Sequence, residues 1–380
     1  MIYLDNASTT NKKPFCVKLA VFKSLLKKYC ANPGRSSHKA SLNAGNMVFE
    51  TRELLKDFFN CPSPENVIFT SGCTEALNLA ILGTAKNGGH IIYTSNEHNS
   101  VARPIEYLKS KGIVTATVIS AGDDGKIDAS QIQKAIKPQT YLVVVNHTSN
   151  VTGATSNINQ IGKICKQHNL MFLVDGAQSA GHKKIDMQKD NISMLAVAGH
   201  KGLLAMQGIG ALLFNGNVKI SPLKFGGTGT FSEQLLPPIS YPESLEAGTG
   251  ATPAIFSLNA GIKFLNKNFD KINHKIEALT KYLLDELYCR SYLTIFTYQD
   301  CYNGVVSFKV KDCSNSDVVN YLNSHNICVR AGLHCAPLCH KNLGTLDGGT
   351  IRVSISSFNT KRQIKKFLNA LDDYAFKNLD

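Results

Sequence analysis

The 380 residues carry 43% hydrophobic and 18% charged side chains, with 29 Gly, 12 Pro, 11 Cys and no Trp. That balance excludes disordered, collagenous and fibrous chains and is ordinary for an α/β protein of two or three domains. The net charge of +13 comes from 41 Lys and Arg against 28 Asp and Glu, but the lysines are scattered and no stretch interleaves Arg with aromatics, so nucleic acid is not an expected partner. A solvated basic surface is expected, or one that steers an anionic substrate or an acidic protein. No apolar run approaches the roughly 20 residues of a membrane span. Met1 to Asn6 lack the features of an export signal, and the eleven cysteines are spaced unlike a secreted framework. A soluble cytoplasmic protein with free thiols is expected, away from membranes.

In chain order, short β-branched runs alternate with amphipathic stretches, the pattern of βαβ units. Strands are predicted at 66–70, 90–94, 115–119, 141–146, 170–175, 194–198 and 208–214. Between them, 74–86, 100–111 and 158–168 carry apolar residues at three and four spacing and read as crossover helices. The Gly- and Pro-containing stretch 221–250 reads as a long irregular loop covering a site or reaching a neighbouring subunit. From 251 the texture changes to a helical pair, 253–266 and 271–289, then further strands and helices ending in an amphipathic helix from about 361. The expected fold is α/β: a large domain, 15–250, on a mainly parallel seven-stranded sheet, and a smaller α+β domain, 251–380 together with 1–14.

The chemistry gathers where predicted strands end. Asp175 closes one apolar strand in Val174-Asp175-Gly176-Ala177-Gln178, and Lys201 follows another in Ala198-Gly199-His200-Lys201-Gly202. Ligand contacts collect at such strand ends in open α/β sheets. Pyridoxal phosphate needs this pair, a lysine for the Schiff base and a carboxylate to keep the pyridine nitrogen protonated. A third junction, Ser71-Gly72-Cys73-Thr74-Glu75, reads as a phosphate cup at a helix start, or as a simple N-cap. A fourth, Asn96-Glu97-His98-Asn99, puts an imidazole at a strand end.

These motifs, with Tyr3-Leu4-Asp5-Asn6-Ala7-Ser8-Thr9-Thr10 and Asn32-Pro33-Gly34-Arg35, occur in an order that resembles the cysteine desulfurases of the class V aminotransferase family. The resemblance runs from Tyr3 to Thr360 and implies a fold type I pyridoxal phosphate enzyme and a homodimer. The segment Arg330-Ala331-Gly332-Leu333-His334-Cys335-Ala336-Pro337 resembles the nucleophile loop of the group II, SufS-like or selenocysteine-lyase-like, members. Cys335 would attack the substrate sulfur and keep it as a persulfide, for which a soft thiolate is suited. Arg352 would clamp the substrate carboxylate, as a guanidinium can do bidentately, with Arg330 and Asn150 as further substrate contacts. His98 would stack on the cofactor ring and assist proton transfer, and Gln178 would bond the ring oxygen. Cys73, Thr74 and His200 would surround the phosphate, and Thr249 would reach the phosphate of the other subunit.

The implied reaction turns L-cysteine, or L-selenocysteine, into alanine. It would deliver sulfur to an acceptor protein for iron–sulfur clusters, thio-cofactors or tRNA. Three features depart from the family pattern: Ala198 replaces a hydroxylated residue, Cys73 takes the place of another small residue, and Leu204-Ala205-Met206-Gln207-Gly208 lacks a Gly-Pro. Cys339 and His340 beside Cys335 leave open a zinc cluster or a regulatory disulfide, although no metal is expected. The competing readings are another reaction on the same cofactor, transamination, β-elimination or epimerisation, which would survive loss of Cys335, and a noncatalytic interaction protein.

Overall fold

The computed structural model describes residues 1–34, 36–230 and 232–378; Arg35 of the sequence motif lies outside them. The N-terminal strand β1 (Ile2–Tyr3) leads to helices α1 (Phe15–Ser24) and α2 (Lys39–Phe59). The βα units follow: β2 (Val67–Thr70), α3 (Cys73–Gly83), β3 (Gly89–Thr94), α4 (Asn99–Ser110), β4 (Val114–Ile119), α5 (Ala129–Lys134), β5 (Thr140–Asn146), α6 (Ile158–Gln167), β6 (Met171–Asp175), β7 (Met194–Ala198) and β8 (Gly210–Phe214). These strands form one seven-stranded sheet in the order β2-β8-β7-β6-β5-β3-β4. Every pair from β7 to β4 is parallel, while β8 runs antiparallel to both its neighbours. All seven predicted strands are present.

Alternation along the strands explains how the sheet is fixed. Val143 and Val145 of β5, Phe172 and Val174 of β6, Leu195 and Val197 of β7 and Ala211 and Leu213 of β8 join one buried cluster. Leu142, Val144, Leu173, Met194, Ala196, Leu212 and Phe214 join the other. Both faces of these central strands are covered, so their middles are apolar, and a one-residue slip would exchange the two cores.

After the 221–250 loop comes α7 (Thr252–Tyr288), a single helix of 37 residues, where the sequence predicts two. The polar stretch 266–271 suggests a break, yet it holds no Gly or Pro, and Asn268 Nδ2 donates to the Phe264 carbonyl one turn back. The remaining elements are β9 (Leu293–Ile295), β10 (Val305–Val310), α8 (Asn315–Ser324), β11 (Ile327–Cys328), β12 (Arg330–Gly332), α9 (Pro337–Asn342), β13 (Thr350–Ser354) and α10 (Lys361–Asn378). Four of these strands form an antiparallel sheet, β12-β13-β10-β9, and β1 pairs parallel with β11. A third core joins Leu4, Phe308, Val353, Phe367 and Leu371. Among the described residues no helix is long and apolar enough to cross a membrane.

Candidate active site

The C-terminal ends of the parallel strands bring the first group of residues together. Asp175 ends β6, is 1% exposed, and its Oδ1 accepts the Ala177 amide at 2.8 Å and the Cys73 thiol at 3.6 Å. Its Oδ2 makes none of these bonds. Burial, and then the Asp175 charge, raise the Cys73 thiol well above its ordinary value, so it stays a protonated donor. Lys201 stands in the turn after β7, where its carbonyl accepts Thr10 Oγ1 at 2.8 Å. Burial lowers its ammonium, against the raising influence of Cys73 and Asp175, which favours the neutral, nucleophilic amine.

His98 is the N-cap of α4: its Nδ1 accepts the Ser100 amide at 3.1 Å and lies 2.7 Å from Ser100 Oγ. A backbone N–H can only donate, so a neutral ring carries its proton on Nε2. Burial lowers His98, with the charges of Asp175 and Lys201 within electrostatic reach. The start of α3 has no side-chain cap at Gly72, and the first-turn amides of a helix lack carbonyl partners, so this end is suited to an anion. Thr74 is exposed there. His200 is held neutral by burial, at about 4, and its Nδ1 is buried without a partner among the described residues. Gln178 donates from Nε2 to the Ala7 carbonyl at 2.9 Å, leaving one amide hydrogen for a ligand.

The second group stands on the antiparallel sheet. Arg330 and Arg352 pair directly across β12 and β13. Arg330 Nη2 lies 3.7 Å from Cys335 Sγ. The loop carrying that thiol places His334 at φ 48° and Cys335 at φ 58°, two consecutive non-glycine residues in the left-handed region, at a cost of about 1–3 kcal/mol each. Three bonds hold it. Asn150 Nδ2 donates to the His334 carbonyl at 2.7 Å, the Asn99 amide to the Cys335 carbonyl at 2.7 Å, and His334 Nε2 lies 3.1 Å from the Thr350 carbonyl. Asn99 directly follows His98, so α4 ties the thiol loop to the first group. Burial and the neighbouring arginine Arg352 depress His334 to about 2; it is a neutral strut.

Arg352 is 1% exposed. Its Nη1 donates to the Asn150 carbonyl at 3.1 Å, and its Nη2 to Asp5 Oδ1 and Ser8 Oγ, both at 2.8 Å. Asp5 and Ser8 carry no assigned role in the sequence reading, although both sit inside a motif it singles out. A like case is Glu97, buried beside β5, where it accepts Thr94 Oγ1 at 2.7 Å and the Asn146 amide at 2.6 Å. Burial raises its carboxyl to about 8, so at neutral pH Asp175 is not opposed by a second full charge. A glutamate directly before a strand-end histidine was the available signal.

Thr249 stands apart. It accepts from Asn32 Nδ2 at 3.3 Å and lines, with Ser71 and Lys224, a cavity of about 670 Å³ that neither Lys201 nor Cys335 borders. Cys339 is buried near Ser149, 4.0 Å from its Oγ, every cysteine is a free thiol, and among the described residues no three His, Cys, Asp or Glu side chains converge as a metal site.

The family model described as aminotransferase class-V matches residues 2–367. A probable cysteine desulfurase of Pyrococcus abyssi is 34% identical, over 98% of this chain and 94% of the relative. One from Methanothermobacter thermautotrophicus is 33% identical over the same shares, 98% and 94%. Among solved structures, the apo cysteine desulfurase of Thermococcus onnurineus superposes with a TM-score of 0.91 at 31% identity, covering 99% of this chain and 95% of that one. The S-sulfonic acid form of an Escherichia coli cysteine desulfurase gives 0.87 at 26% identity, covering 99% and 94%.

Proposed function

The chain belongs to the aminotransferase class-V family, and from that premise we propose that it is a pyridoxal-phosphate-dependent cysteine desulfurase, forming alanine from L-cysteine and retaining the sulfur as a persulfide on Cys335. The observation that carries this reading is one thiol, Cys335, on a strained loop with the Arg330 guanidinium 3.7 Å away, tied through Asn99 to the strand ends that bear Asp175 and Lys201.

The residues present fit the cofactor. Asp175 Oδ2 is open for a ring nitrogen, the uncapped start of α3 with Thr74 and His200 for a phosphate, Lys201 for the aldehyde, Gln178 for a ring oxygen and His98 for the ring face. When bound, pyridoxal phosphate supplies an electron sink for the pair released at the substrate Cα. The chain does the rest. Arg352 receives the substrate carboxylate, Asn150 Oδ1, buried and without a partner among the described residues, accepts from the amine end, and the neutral Lys201 amine takes the α-proton. Arg330 Nη2 stands 3.7 Å from Cys335 Sγ, and Cys335 reacts as its thiolate, the nucleophilic form of a cysteine. That thiolate bonds to the substrate sulfur as the carbon–sulfur bond breaks; the bonding pair stays on carbon, which is protonated, and alanine leaves. His98, with its proton on Nε2, is placed to deliver one.

Selenocysteine offers the same carboxylate and amine and is the alternative substrate. A second copy of the chain fits the exposed apolar residues of the 221–250 loop, Phe225, Leu235, Leu236 and Ile239, and of α1, Phe15 and Phe22. The persulfide would pass to an acceptor protein in the cytoplasm. The test is alanine release by cofactor-loaded protein given L-cysteine and a reductant. Wild type forms alanine and Cys335→Ala does not; equal activity of the two, or pyruvate as the product, sinks the proposal and leaves a lyase or aminotransferase.

A further inference from the structure

Arg352, expected as a free clamp, already holds a carboxylate. Of its five N–H groups, both on Nη2 are engaged, one by Asp5 Oδ1 and one by Ser8 Oγ, and one on Nη1 is engaged by the Asn150 carbonyl. Nε is buried and without a partner among the described residues. A guanidinium can grip a carboxylate bidentately along two edges, Nη1 with Nη2 or Nε with Nη2. Both edges need Nη2, so neither is open. A substrate carboxylate gains a two-point grip only if Asp5 or Ser8 lets go.

Asp5 is suited to let go. Its side chain is 19% exposed against 1% for Arg352, so the pair has one wet end. Its backbone is bridged to Ser354, the last residue of β13, which keeps the segment in place while the side chain turns. Ser8 is the less mobile partner: its Oγ donates to Asp5 Oδ1 at 2.8 Å and accepts from Arg330 Nη1 at 3.3 Å as well as from Arg352.

We propose that Asp5 is an internal stand-in for the substrate carboxylate, holding Arg352 until substrate exchanges for it, and is thereby a specificity-determining residue of the substrate site. The stand-in spares the substrate-free protein a buried unpaired cation, which is strongly destabilising. It also means that each substrate carboxylate displaces a like charge, so affinity for single-carboxylate ligands is held down. Neutralising Asp5 acts twice in the same direction. The competitor loses its charge, and the field of Arg352 is no longer cancelled at the seat.

The inference rests on Arg352 being the carboxylate clamp, and the experiment separates the two. Cofactor-loaded wild type, Asp5→Asn, Ser8→Ala and Arg352→Lys are titrated calorimetrically with L-alanine and with propionate, and KM and kcat are measured for L-cysteine. Asp5→Asn, which keeps an oxygen for Nη2, binds both ligands about tenfold tighter or more and lowers KM while kcat moves less; its melting temperature falls. Ser8→Ala shifts binding in the same direction by a smaller factor and serves if Asp5→Asn folds poorly. Unchanged or weaker binding in these variants, with Arg352→Lys no longer binding L-alanine, overturns the stand-in and leaves the clamp. Wild-type binding by Arg352→Lys overturns the clamp and the stand-in together.

Discussion

The seven-stranded sheet and the four-stranded sheet contribute to one site in different ways. On the first, Asp175 ends β6 and Lys201 follows β7 in a short turn, both set by strands buried on both faces. On the second, Cys335 stands on a loop whose backbone is strained at two successive residues and is held by bonds from Asn150, Asn99 and His334. The residues proposed to hold the cofactor stand at or just beyond the ends of sheet strands, whereas the thiol proposed to take up and release sulfur stands on a loop strained at two successive residues.

Mutations should separate the two halves. Asp175→Ala removes the carboxylate proposed to face the ring nitrogen and is expected to lower alanine formation by on the order of 10²–10³ and to bleach the visible absorbance of bound cofactor. Cys335→Ala abolishes alanine formation with that absorbance intact; loss of absorbance in both would mean that the halves are not separable. Gly349→Ala is the next largest. Its Cβ would lie 2.2 Å from the Gly332 backbone at φ +66°, so β12 and β13 must part. A loss of about 3 kcal/mol in urea unfolding is expected, with faster alkylation of Cys335 by iodoacetamide.

Asn150→Ala strips the His334 carbonyl of its donor and is expected to cost about 1–3 kcal/mol and to raise KM for L-cysteine more than it lowers kcat. An unchanged KM would remove Asn150 from the substrate site. A pH effect belongs to the parallel-sheet half. Burial depresses His147 and His182 to about 4 each. The unfolded chain therefore binds more protons between about pH 6.5 and 4, so stability is full above that window and falls as the pH drops through it, by at most about 1.4 kcal/mol per unit for each histidine. Melting temperatures from pH 7 to 5 test this, and a flat profile would show these rings are not buried as described.

The sheet was legible because its strands are apolar runs bounded by turns and because acid and lysine sit at their ends. The neutral state of Glu97 and the cap made by His98 were not legible, since both depend on neighbours brought in by tertiary packing. The residue types of the Cys335 loop resemble a family motif, but its left-handed backbone at His334 and Cys335 follows no local propensity; it is held by bonds to Asn150, Asn99 and Thr350 in other parts of the chain. Arg352 shows the limit most clearly. The family resemblance implied a clamp, yet its present partners, Asp5 and Ser8, are 347 and 344 positions away, beyond any periodicity. The polar stretch 266–271 misled in the other direction, because a mixed composition without Gly or Pro does not end a helix whose apolar face continues in Ile272 and Ile276.

That uninterrupted helix has a mechanical consequence. At 1.5 Å per residue, α7 is a rod roughly 55 Å long. Ile262, Leu265, Ile272 and Ile276 are set in the core of the large sheet, and Leu279, Leu283, Leu284 and Leu287 in the core of the small one. A beam anchored in both bodies resists bending between them, because a kink would break backbone hydrogen bonds at its middle. Entry and exit of the substrate would therefore be accommodated by side chains and loops at the rim, while the distance between the two halves of the site is set as if by a ruler.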